Sequence, residues 1–138
     1  MYGTILITLD ATPTDRAIIE HIKLLAKRLD SQVILLHVAD GWSARRFGAD
    51  AVSEEVDQDT FYLAKVQAEF EAAGIPAKAE LAYGDPVAEI VKWVKSNVCD
   101  LVAMSTHGHT GLADLVLGET ASRVQHEVSV PVLMLRAT

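Results

Sequence analysis

The sequence predicts a single α/β domain, a doubly wound five-stranded parallel sheet with four helices, and three observations carry that prediction. Short, nearly continuous apolar runs alternate with segments whose apolar residues recur at helical spacing. The runs are rich in branched residues, as strands covered on both faces require. At 138 residues, 50% of them hydrophobic, the chain suits one domain, residues 1–138, with a substantial core.

ILITL at 5–9 forms the first strand. Thr12, Pro13 and Asp15 then mark a helix start: a hydroxyl cap, a proline at the first helical position and an acid at box-like spacing. Ile18, Ile19, Ile22, Leu25, Ala26 and Leu29 fall on one stripe of that helix, with Glu20, Lys23 and Lys27 on its other face. VILLHV at 33–38 is the second strand, and Leu63, Val66, Phe70 and Ala73 mark a second helix stopped by Gly74 and Pro76. AKAELAY at 77–83 alternates small or apolar residues with Lys78 and Glu80, which suits an edge strand with one wet face. Asp85 and Pro86 open a third helix that buries Val87, Ile90, Val91 and Val94. LVAMS at 101–105, a fourth helix over 119–127 and VPVLML at 130–135 complete the alternation.

Right-handed crossovers, with the third strand at an edge, give the order 3-2-1-4-5. The last strand is then the other edge. It carries no charged gatekeeper, and Pro131 removes only one donor, so a homodimer through this strand is expected.

Twelve Lys and Arg stand against nineteen Asp and Glu, a formal charge of −7. A chain of this sign is repelled by nucleic acid, so no nucleic-acid partner is expected. No apolar run approaches a membrane span, and MYGTILITLD lacks the basic region and cleavage site of a signal peptide. A cytoplasmic location without membrane attachment is the expectation. The single Cys99, in apolar NVCDLV, reads as a buried reduced thiol.

In an open parallel sheet the ligand crevice lies beyond the carboxyl ends of the strands where their order reverses, here between the first and fourth. Asp10 falls at one lip and the loop from Ser105 to Gly118 at the other. Around these positions the chain carries ILITLDAT, LLHV, YGDP, STHG followed after nine residues by Gly118, and a closing SVPVLMLR. In this order, over nearly the whole chain, they resemble the universal stress protein family, small adenine-nucleotide-binding α/β proteins.

The resemblance implies a Rossmann-like fold of the adenine nucleotide alpha hydrolase kind and a dimeric stress-response protein that binds ATP, ADP or AMP, with magnesium accompanying a triphosphate. It places adenine and ribose against Thr8, Asp10, Val38 and Met104. The phosphates fall to the segment holding Ser105, Gly108, Gly118, Glu119 and Thr120. ATP-binding members have Gly, two residues, Gly, nine residues, Gly, then Ser or Thr. Here the first position is Ser105 and the hydroxyl position is Glu119, so the base side keeps the pattern better than the phosphate side.

Residue chemistry leaves alternatives open. Asp10 serves equally as a turn cap before Thr12, and Gly108 and Gly111 suit a loop that needs positive φ. Glu119, read as the start of the fourth helix, supplies that helix terminus with its own anion and repels a triphosphate. Thr120 follows one residue later with a hydroxyl. Arg45 and Arg46 either offset Glu119 or form a solvated pair. His107 and His109 have no third ligand at recognisable spacing, so no metal is expected. Without an assignable base or a Walker-type lysine, no catalytic residue is expected, and enzymatic activity extends at most to slow ATP hydrolysis. Three functions remain: a nucleotide-binding stress-response dimer, the same dimer without ATP acting on an unknown protein partner, or a slow nucleotide hydrolase, which the missing base and lysine disfavour.

Overall fold

The computed structural model describes residues 1–39, 49–107 and 112–137. Strands β1 (Thr4–Leu9), β2 (Gln32–Ala39), β3 (Ala77–Tyr83), β4 (Leu101–His107) and β5 (Val132–Ala137) form one sheet in the order β3-β2-β1-β4-β5. Every pairing is parallel. Among the described residues the connections are four α-helices: α1 (Arg16–Leu29), α2 (Ala49–Ala72), α3 (Pro86–Ser96) and α4 (Leu112–Glu127). The doubly wound architecture expected from the alternation is present. None of the described helices is long and apolar enough to cross a membrane.

Alternation along β1 divides the core. Ile5, Ile7 and Leu9 face α1 and α2, meeting Ile18, Ile22, Val66 and Phe70. Leu6 faces the other side with Leu36, Val87, Ile90, Val102 and Val124, beneath α3 and α4. The third strand shows its wet face at Lys78 and Glu80, both exposed.

Several boundaries differ from the sequence reading. The expected Thr12 cap is not made: its hydroxyl instead pairs with that of Thr14 at 2.5 Å, and residues 13–15 form a 3-10 turn before α1. Helix α2 begins at Ala49, well before Leu63; its described residues from Glu54 to Tyr62 are largely polar, so no apolar stripe announces them. Its end is as expected. Gly74 has φ of +84°, which glycine adopts without strain, and Ile75 N–H donates to the Phe70 carbonyl at 3.0 Å. In β5, Val130 and Pro131 precede the strand, and the Pro131 carbonyl accepts from Val102 N–H.

The largest correction concerns α4. It starts at Leu112 rather than 119, since LADLVL is composed largely of helix formers and an internal glycine such as Gly118 costs a helix only about 1 kcal/mol. Glu119 therefore lies inside the helix, two turns from its start. It does not occupy the helix N-terminus.

Helix α3 has the start that its sequence requires. Asp85 is extended and its carboxylate accepts from Ala88 N–H at 2.9 Å, with Pro86 at the first position. Asp85→Ala should cost about 1 kcal/mol of stability, read as a lower urea midpoint with unchanged slope. An unchanged midpoint would show that Pro86 alone starts the helix.

Candidate functional site

The register of the sheet opens a cleft at its carboxyl end. β1 pairs with β4 from Ile5↔Leu101 to Ile7↔Ala103, but with β2 as far as Leu9↔His37, while β4 continues beside β5 to His107↔Ala137. Past Ile7 the two central strands part. The space between them is a cleft of about 450 Å³, placed where strand order reverses.

Six residues singled out in the sequence line this cleft: Thr8, Asp10, Val38, Met104, Ser105 and Thr120. Met104 and Ser105 are buried, and the other four are half-buried. Leu36, Pro86 and Ile90 add apolar wall. Gly118 lies within α4, and Glu119, also in that helix, is exposed and off the described lining. Thr120, one residue further round the helix, takes the position facing the cleft. Gly108, Gly111, His109, Arg45 and Arg46 lie outside the described residues.

The Asp10 lip is held by a buried carboxylate. Asp15, 1% exposed, accepts from Asp10 N–H and Ala11 N–H at 2.9 Å each and from the Tyr62 hydroxyl at 2.7 Å. These bonds fix the turn in which Ala11 takes φ of 62°, a left-handed conformation uncommon for alanine. Asp15, read in the sequence as a helix-start acid, thus shapes this lip of the cleft. Tyr62 is the residue that joins it from α2.

A second polar group was not found from sequence. His37 Nδ1 lies 2.7 Å from the Leu9 carbonyl, and its Nε2 lies 3.3 Å from Asp59 Oδ2. Both side chains line the cleft, and Glu55 joins them from the preceding turn of α2. Burial pushes the Asp59 carboxyl up from its ordinary value; His37 opposes that shift and Glu55 adds to it. A sequence trace existed: Asp59 falls four residues before Leu63 and seven before Val66, placing an acid on the helix stripe that meets the sheet.

Among the described residues, the buried side-chain polar atoms without a hydrogen-bond partner are Asp59 Oδ2 and Ser105 Oγ, and both residues line this cleft. An unpaired buried polar atom costs roughly 1 to 3 kcal/mol, so both favour an occupant that supplies partners. The charge of the described lining is one-sided. Asp10, Glu55 and Asp59 are present, with no lysine or arginine among the described lining residues. No group of three or more metal-ligating side chains occurs among the described residues.

The sequence model of the Universal stress protein family matches residues 1–136. The chain is 25% identical over 155 residues to Universal stress protein MJ0577 of Methanocaldococcus jannaschii, covering 99% of this chain and 96% of that protein. The solved structure of MJ0577 superposes with a TM-score of 0.84 at 28% identity, over 100% of this chain and 98% of the other. Two more distant structures share the fold. One is a universal stress protein in complex with cAMP, at TM-score 0.74 and 17% identity, covering 99% of this chain and 98% of that one. The other, from Archaeoglobus fulgidus, is in complex with dAMP, at TM-score 0.71 and 13% identity, covering 96% and 97%.

The Tyr62–Asp15 bond generates a pH-dependent expectation. Burial, and then the hydrogen bond to Asp15, hold the Tyr62 phenol above its ordinary value. With the folded value above the unfolded one, its stabilisation is complete below about pH 10 and is lost as pH rises further. Tyr62→Phe should lose about 1 to 2 kcal/mol at neutral pH. Its stability should then fall less steeply than wild type above pH 10 in urea unfolding. Parallel losses in both proteins would refute the bond's role.

Proposed function

The chain belongs to the universal stress protein family, and from that premise we propose that it is a stress-response protein that binds an adenine nucleotide between β1 and β4, with ligand occupancy as its signal. The observation that carries this reading is the common cleft. Thr8, Asp10, Val38 and Met104, assigned to adenine and ribose by family resemblance, converge there from the ends of three neighbouring strands. The apolar surface of Val38, Met104 and Ile90 suits a purine face, while the Asp10 carboxylate accepts a ribose hydroxyl or a base amine. The relatives in complex with cAMP and dAMP, ligands with one phosphate, support the same ligand class.

The described lining favours the nucleoside part over a long phosphate chain. Ser105 and Thr120 offer hydroxyls, but Asp10, Glu55 and Asp59 oppose accumulating negative charge. AMP and ADP should therefore bind within about tenfold of ATP in calorimetric titrations with and without magnesium. ATP tighter than AMP by more than tenfold, about 1.4 kcal/mol, would overturn the charge argument. Absence of binding by all three would favour the protein-interaction reading.

The second part of the proposal is a homodimer through β5. This strand is a sheet edge, and Met134 is partly exposed on it at 36%. Leu133 and Leu135 pack toward the core cluster beneath α1, so Met134 is the substitution least damaging to the fold. Wild type should scatter light as a dimer at high micromolar concentration, and Met134→Lys should shift it toward monomer. A stable wild-type monomer would exclude this association.

A further inference from the structure

We propose that His37 and Asp59 share one proton at neutral pH and thereby set the preference of the cleft between charged and neutral ligands. The ligand half rests on the nucleotide reading above; the proton half rests on the geometry of two side chains. A carbonyl oxygen only accepts, so the 2.7 Å contact with Leu9 requires a hydrogen on His37 Nδ1. A neutral ring with that tautomer presents a lone pair at Nε2. Facing it at 3.3 Å is Asp59 Oδ2, which when ionised is also an acceptor.

Two acceptors in contact need a hydrogen between them. The side chains are only 11% and 13% exposed, so water screens their repulsion poorly. Oδ2 makes no hydrogen bond among the described residues, so its 3.3 Å approach to Nε2 is a contact that a proton would convert into one. A single proton, on Nε2 or on Oδ2, resolves the conflict in either position and leaves the pair with no net charge. Its loss leaves one negative charge.

The surroundings make that charge matter to a ligand. Glu55 on α2 acts electrostatically on Asp59, and Asp10, just past the end of β1, lines the same cleft. Asp15, behind Asp10, is engaged by two backbone N–H groups and Tyr62. Leu81, beside His37 on β3, carries no charge, and Ser105 and Thr120 across the cleft are uncharged. No described lining residue is a lysine or arginine to absorb the change. The protonated pair admits a phosphate-bearing nucleotide, and the deprotonated pair disfavours it while leaving a neutral nucleoside almost unaffected.

Asp59→Asn separates this from other pH effects, because its amide N–H donates to Nε2 in nearly the same shape and cannot become charged. Calorimetric titrations of AMP and adenosine with wild type and Asp59→Asn, from pH 6.5 to 9.5, give the test. The phosphate of AMP titrates identically against both proteins. For wild type the AMP-to-adenosine affinity ratio should fall about fivefold more across this range than for Asp59→Asn, the scale of one charge added several ångströms away. Equal pH profiles in the two proteins would overturn the proposal. If neither ligand binds at any pH, the nucleotide reading fails, and the ligand half of this proposal with it. Nitrogen-15 shifts of the His37 ring and the carbon-13 shift of the Asp59 carboxyl then decide the proton half. One of the two groups should be protonated at pH 7 in wild type, and both deprotonated would overturn it.

Discussion

Everything in this structure follows from one strand having two parallel neighbours. β1 hydrogen-bonds β2 on one side and β4 on the other, so the chain must cross over in opposite directions to build the two halves of the sheet. Right-handed connections then put α1 and α2 on one face and α3 and α4 on the other. Both faces are covered, which is why the strand runs are almost wholly apolar and the fold could be read from them. The same constraint makes the cleft, because strands feeding opposite crossovers separate at their carboxyl ends.

Legibility in the sequence tracked burial. Phe70, Ile90 and Val102 announce their elements because an apolar stripe has a period. The first half of α2 and the start of α4 have no such one-sided pattern among residues the sequence reading used, and both were placed too late. Gly118 lies inside α4, because an internal glycine only weakens a helix. This one boundary moved Glu119 from a helix terminus to an exposed helical position and left Thr120 on the cleft.

Thr8, Asp10, Val38 and Met104 could be brought together from the sequence because they sit at or just past strand ends, where a linear motif and a spatial cleft coincide. His37 and Asp59 show the opposite case. Their association depends on α2 crossing back over β2, a contact between positions far apart in sequence. Asp15 was noticed for a local role, yet its bonds to Asp10, Ala11 and Tyr62 link the lip of the cleft to a distant helix. Polar pairings of this kind leave little periodic trace.

The polar first half of α2 also creates a gradient of local stability along one continuous helix. The described side chains of α2 from Glu54 to Tyr62 are exposed or half-buried, whereas Leu63, Val66 and Phe70 are clamped against the sheet. Fraying therefore starts at the segment that carries Glu55 and Asp59, at a free energy well below global unfolding. An occupant bridging that segment to the strand ends would suppress the fraying, converting binding into order on the outer surface of the molecule.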